Sequence, residues 1–191
     1  MQLDWDDHFR EIVVPAWQSY RASERRLSEA AASKDPLIID SARYETLREG
    51  GAACFYLHHF ADIVLRAGPD WLPQNVTKIQ PLLDWVAKDC TYLRSDKLCD
   101  DVNLLRDVAE SLKHAILTRY LHERQVSGNE AVLVAGTGYG ELPYGEGKYG
   151  GTLQTVILTT KGPRALSAVL QNVVDAWRRV SDQDLPEIGK P

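Results

Sequence analysis

Two stretches of this chain gather the side chains that do proton and phosphate chemistry. In the first, around Phe55-Tyr-Leu-His-His-Phe-Ala-Asp-Ile-Val-Leu-Arg66, the residues His58, Asp62 and Arg66 fall at i, i+4 and i+8, with His59 beside them. Most of the remaining circumference is apolar, through Cys54, Leu57, Phe60, Ala61, Ile63, Val64 and Leu65, which is the pattern of a buried helix. Buried charges need partners, so the stripe either forms an internal His–Asp–Arg ladder or lines a pocket. The second stretch is Leu104-Leu-Arg-Asp-Val-Ala-Glu-Ser-Leu-Lys-His-Ala-Ile-Leu117. Here Leu105, Val108, Leu112 and Ile116 form a core face. Asp107, Glu110, His114 and Thr118 lie opposite, flanked by Arg106 and Lys113, as a solvated charged face or as one wall of a site.

If the two polar faces meet, they bring together imidazoles and carboxylates. Such a set suits zinc, iron or manganese, and bundle cores are where such sites are built. The repeated Glu-x-x-His of di-iron bundles is absent, and neither a metal nor a cofactor is assigned. Without a metal, Arg106 and Lys113 would hold a phosphate while His114 acts as general acid or base near neutral pH. In this the chain resembles the HEPN family of helical domains, many of which are ribonucleases or nucleotide-binding modules. The family motif is an Arg followed after four to six residues by a His on a late bundle helix. In this chain seven residues separate Arg106 from His114, and Lys113-His114 stands on such a helix. The resemblance spans residues 36–122 and implies catalytic roles for Arg106, Lys113 and His114, with RNA or a nucleotide as ligand.

The most unusual composition lies elsewhere. Residues 136–151 hold seven of the thirteen glycines and three of the eight tyrosines, Tyr139, Tyr144 and Tyr149. Glycine permits close approach and positive φ, and tyrosine is a rigid apolar ring with a polar tip. A dinucleotide turn would lead its glycines from a strand into a helix, whereas these lead to Leu142-Pro143 and another strand. A Walker loop needs Ser or Thr after Gly-Lys, but Tyr149 follows Gly147-Lys148. Stacking of single-stranded nucleic acid on the tyrosines has only Lys148 for local positive charge, against Glu141 and Glu146. The segment is expected to dock over the bundle or onto a second subunit. No Gly-x-Ser-x-Gly elbow is present, and Cys90 and Cys99 have no recognisable catalytic partner in the sequence.

The elements that position these groups follow from periodicity. Helical spacing runs from Asp4 to about Ser33, with a kink or break expected at Pro15. A long helix is expected over residues 36–67, with Gly50-Gly51 free to bend it or admit a neighbour, and Gly68-Pro69 ending it. A connector, a short helix from Pro81 and a helix from Asp100-Asp101 to about Leu121 come next. The β-branched stretches 131–135 and 153–160 read as two strands of a hairpin, and Gly162-Pro163 as the start of a last helix. That helix carries an apolar stripe of Leu166, Val169, Leu170, Val173, Val174 and Trp177. The expected fold is mainly α: a bundle of four to five helices with an antiparallel β-hairpin over about 131–160 and a C-terminal helix. Residues 1–180 are expected to form one domain, and 181–191 a flexible tail.

With 191 residues and a net charge of −5, the chain is large enough for its own core, and its charge argues against a broad nucleic-acid surface. No apolar run approaches the roughly 20 residues of a membrane span, and no signal peptide is visible. A cytoplasmic homo-oligomer is expected, with a protein partner or an RNA or nucleotide ligand as further readings. The binding candidates are His58, His59, Asp62, Arg66, Glu110 and the three loop tyrosines.

Overall fold

The computed structural model describes residues 4–93, 95–113, 124–138 and 140–181. Among them the fold is mainly α with one small antiparallel sheet. His114 and Tyr139 lie outside the described residues, as do the expected continuation of the 101–121 helix beyond Lys113 and the tail beyond Ser181.

Helix α1 (Trp5–His8) starts where the Asp4 carboxylate accepts the Trp5 N–H at 2.6 Å. It passes through a π-type turn, Phe9–Val13, into α2 (Val14–Ser33). The expected break at Pro15 is therefore a local widening. Proline has no N–H and clashes with the carbonyl four residues back, and the i→i+5 bond from Val14 N–H to Phe9 O absorbs that mismatch.

Lys34, at φ 59°, turns the chain back, and Asp35 caps α3 (Pro36–Ala67) by accepting the Leu37 N–H at 2.9 Å. Helices α2 and α3 then lie side by side. Thr46 Oγ donates to the Ser23 carbonyl across the pair, 3.2 Å away. Gly50-Gly51 does not interrupt α3. The missing side chain of Gly50 instead makes room for Tyr20 and Leu166: a Cβ there would stand 2.9 Å from Leu166 Cδ2 and 3.2 Å from the Tyr20 ring.

Helix α4 (Ile79–Ala87) contains Pro81 in its first turn, and α5 (Asp101–Lys113) follows a short connector. The apolar stripe expected on α6 (Leu166–Val180) is wholly buried. Trp177 of that stripe meets Phe60 edge-on at 5.0 Å, and Phe60 meets Phe9 at 5.0 Å. These rings form the centre of a core shared by every helix.

The expected hairpin is a three-stranded sheet. Strand β1 (Val132–Gly136) pairs with β2 (Leu153–Thr159), and β2 pairs with β3 (Gly162–Ala165), both antiparallel. Residues 162–165, read from sequence as the start of α6, are that third strand. Gly162 at φ 117° completes the tight return. Pro163, which has no N–H to offer a neighbour, sits on an edge strand opposite Leu158, where proline is tolerated.

Helix α5 departs most from its expected orientation. Leu105 and Val108 are buried as expected, but Leu112 is 43% exposed, whereas Asp107 is wholly buried and Arg106 nearly so. The supposed solvated face is covered because the segment at 124–126 crosses it. Gln125 N–H donates to Asp107 Oδ2 at 2.8 Å, and Val126 is buried beside it. Among the described residues no helix is long and apolar enough to cross a membrane.

Candidate functional site

The Gly–Tyr segment, 137–152, joins β1 to β2 and lies folded against the body of the protein. Two anchors built on buried acids hold it there. Glu146, from the loop itself, accepts from Arg164 Nε at 2.8 and 3.0 Å and from the Ala165 N–H at 3.0 Å. The other two nitrogens of Arg164 grip Asp101 at the start of α5, at 2.6 and 2.8 Å. Asn172 of α6 donates to Asp101 Oδ2 at 2.7 Å. The Arg164 guanidinium also lies 4.9 Å from the centre of the Tyr92 ring, in cation–π range. Burial pulls the guanidinium's proton affinity down, but its bonds to Asp101 and Glu146 outweigh that and hold it above the ordinary arginine value. One planar fork thus ties loop, strand and α5 together, and Asn172 joins α6 to it through Asp101.

The second anchor is on α2. Lys148 Nζ donates to the Glu24 carbonyl at 3.0 Å, Ser28 Oγ at 2.9 Å and the Leu153 carbonyl at 3.2 Å, and pairs with the Glu24 carboxylate at 2.6 Å. Glu24 is itself buried, and its Oε1 accepts from the Tyr20 hydroxyl and from Thr155 N–H, both at 2.8 Å. Thr155 lies just past the last β2–β3 pair, so the carboxylate takes the place of the missing strand. Burial, then the neighbouring Glu24 charge, pushes the Tyr20 phenol well above its usual range.

Between the anchors, Pro143-Tyr-Gly-Glu146 makes a tight turn closed by Glu146 N–H to Pro143 O at 3.1 Å, with Gly145 at φ 86°. Such turns need positive φ at their third residue. Tyr144 stands at the corner with 102% relative exposure. Gly138 N–H donates to Glu141 Oε2 at 2.7 Å, which tightens the start of the loop. The charged side chains noted in the loop, Glu141, Glu146 and Lys148, are thus all engaged within the fold.

The histidine-bearing helices form a different picture. His59 Nδ1 and Asp62 Oδ2 are 2.9 Å apart on the surface of α3, and Arg66 is exposed near its end. His58 is partly buried toward α5, and its pKa falls to about 4 through burial, with His59 and Arg106 lowering it and Glu110 and Asp62 opposing. Arg106 is occupied: it donates to Asp107 Oδ1 at 2.9 and 3.2 Å, Gln80 Oε1 at 2.8 Å and Asn103 Oδ1 at 3.1 Å. Glu110 pairs with Arg124. Lys113 borders an apolar groove of about 500 Å³ between α3 and α5, lined by Leu47, Gly51, Phe55, Tyr56 and Leu112. Among the described residues, no three His, Cys, Asp or Glu side chains are grouped as a metal would require.

The residues that build the anchors, Arg164, Asp101, Asn172 and Glu24, escaped the sequence reading as site residues. Asp101 was legible only as an acid at a helix start; its partner Arg164 lies 63 positions away. No family model, curated protein or solved structure matches the chain.

Proposed function

We propose that the chain is a non-catalytic binding and assembly module, a cytoplasmic homo-oligomer that docks through the clamped Gly–Tyr loop. The observation that carries this reading is the contrast within one loop: Glu146 and Lys148 are locked to buried partners while Tyr144, two and four residues away, is wholly exposed. A large aromatic ring held out on a preorganised loop is the type of residue that dominates interface energies, because little freedom remains to be lost on binding.

The receiving surface in this reading is the groove between α3 and α5 on a second copy. Its floor is apolar, with Phe55, Tyr56 and Leu112 each at least 40% exposed, and Lys113 at its border is opposite in charge to Glu141 near the loop tip. A reciprocal exchange of loops gives a closed two-fold dimer, the commonest soluble assembly. The ribonuclease reading would need Arg106 to release Asp107, Gln80 and Asn103 before it could meet a phosphate.

Light scattering coupled to size exclusion tests the proposal over a dilution series. The expected mass is twice the 21.4 kDa of the chain. Tyr144→Ser in the loop and Ala52→Glu in the groove, which Ala52 also lines, should each give monomer, and mixing the two variants should recover dimer through the one intact contact. A wild-type monomer at every concentration, or a Tyr144→Ser dimer of unchanged affinity, would remove this reading.

A further inference from the structure

Cys90 and Cys99 flank the short connector between α4 and α5. Two backbone bonds clamp that connector into an antiparallel pair, Tyr92 N–H to Lys97 O and Cys99 N–H to Cys90 O, both 2.9 Å, around the bridge between Thr91 and Leu98. The two cysteines therefore sit opposite one another. Their sulfurs are 3.4 Å apart, both residues are buried, and both thiols are free. A disulfide bond is about 2.05 Å long, so closure needs little more than small side-chain rotations on a backbone already held in place.

We infer that Cys90 and Cys99 are a reversible dithiol–disulfide pair whose closure staples the 91–98 connector. The co-reactant is a small organic disulfide. One cysteine thiolate, from Cys99 with its 8% exposure, attacks a sulfur of that disulfide and expels one thiolate, leaving a mixed disulfide. The Cys90 sulfur, after losing its proton to solvent, displaces the second thiolate. Two protein thiols are oxidised, one small disulfide is reduced to two thiols, and the two protons end on the departing thiolates.

The pair is placed to report on its surroundings. Asn172 contacts both sulfurs, with its carbonyl 3.7 Å from Cys90 Sγ and its side-chain nitrogen 3.9 Å from Cys99 Sγ. That same nitrogen donates to Asp101, the acid that holds Arg164. The stapled connector also contributes Thr91, Tyr92, Leu93, Ser95 and Asp96 to the wall of a cavity of about 520 Å³ that reaches Asn172 and Arg179. The Cys90 contact and burial push the Cys99 thiol upward from its usual pKa, so exchange should be slow at neutral pH and faster in mild alkali. Cys54, buried and pushed up to about 12 by burial, serves as an internal control.

The experiment equilibrates the native protein with mixtures of oxidised and reduced glutathione, quenches with acid, unfolds, alkylates and maps the peptides. The expected result is a cross-link between Cys90 and Cys99 that appears as the mixture becomes oxidising, with Cys54 alkylated throughout. Its melting temperature should rise by roughly 5–10 °C, from a closed loop of about ten residues in a chain of this size. Cys90→Ser and Cys99→Ser should show no rise. Full alkylation of both cysteines at every ratio, glutathione adducts alone, or a cross-link through Cys54 would overturn the inference.

Discussion

The Gly–Tyr loop is held at two points, and the two are built differently. At the α5 end the cation is Arg164, 11% exposed in its side chain, with its fork shared between two buried carboxylates. At the α2 end the cation is Lys148, 30% exposed, gathering carbonyl, hydroxyl and carboxylate oxygens around one point charge. The difference teaches what each anchor is for. A planar guanidinium fixes angles among loop, strand and α5 at once, while an ammonium tolerates adjustment and keeps part of its hydration. The first anchor specifies the fold around the loop, and the second presses the loop onto α2.

The largest effect should come from breaking the arginine anchor. Arg164→Ala leaves Asp101 and Glu146 buried without their cation, which typically costs about 3–5 kcal/mol. Urea unfolding followed by tryptophan fluorescence measures it. Arg164→Lys keeps the charge and loses the fork, so it should recover only part of that stability. If lysine restores the wild-type value, charge alone sufficed and the contrast between the anchors fails.

Away from the loop, His58 gives a pH test of the α3–α5 contact. Its pKa of about 4 lies below the ordinary histidine value of 6.5, so between those values the unfolded chain binds the proton that the folded chain refuses. Stability therefore falls as pH drops from about 6.5 toward 4, by about 1–3 kcal/mol when partial exposure is allowed for. His58→Leu should flatten that part of the profile, as read by urea midpoints at stepped pH. An unchanged slope would mean that other groups carry it.

Lys148→Met tests the second anchor. It removes the cation beside Glu24 but leaves that carboxylate the Tyr20 hydroxyl and the Thr155 N–H, so about 1–2 kcal/mol is expected. A loss as large as that of Arg164→Ala would make the two anchors equivalent.

These anchors also mark where sequence stops being informative. The α6 stripe, the long α3 and both strands of the β1–β2 pair were legible because periodicity is local and α6 and α3 bury one face each. The third strand was missed because Gly162-Pro163 is a valid helix start; only the pairing of Ile157 with Arg164 and of Val156 with Ala165 shows otherwise. The burial of helix α5 was only partly legible: Leu105 and Val108 are buried as expected, but Asp107 is buried because distant partners, Gln125 and Arg124, meet it, and no heptad count contains them. Of the candidate site, the exposed tyrosine and the charged loop residues were visible. The acids that hold the loop were not, since Glu24 and Lys148 meet across 124 positions.

The smallest expected change in stability is the most discriminating. Tyr144 touches solvent on every side, so Tyr144→Ser should shift the unfolding free energy by no more than about 0.5 kcal/mol, the usual range for surface changes. If the dimer proposed above forms, its self-association, read in the same samples by light scattering, should nevertheless be lost. In the proposed dimer that pairing separates the loop's tip from its anchors: the anchors would act on the folding equilibrium, and the tip on binding alone. Thermal unfolding of the variant at a dilution where the wild type is also monomeric makes the comparison clean, because dimerisation itself raises apparent stability. A marked loss under that condition would place the Tyr144 ring within the fold's own packing, and the division of labour along the loop would collapse.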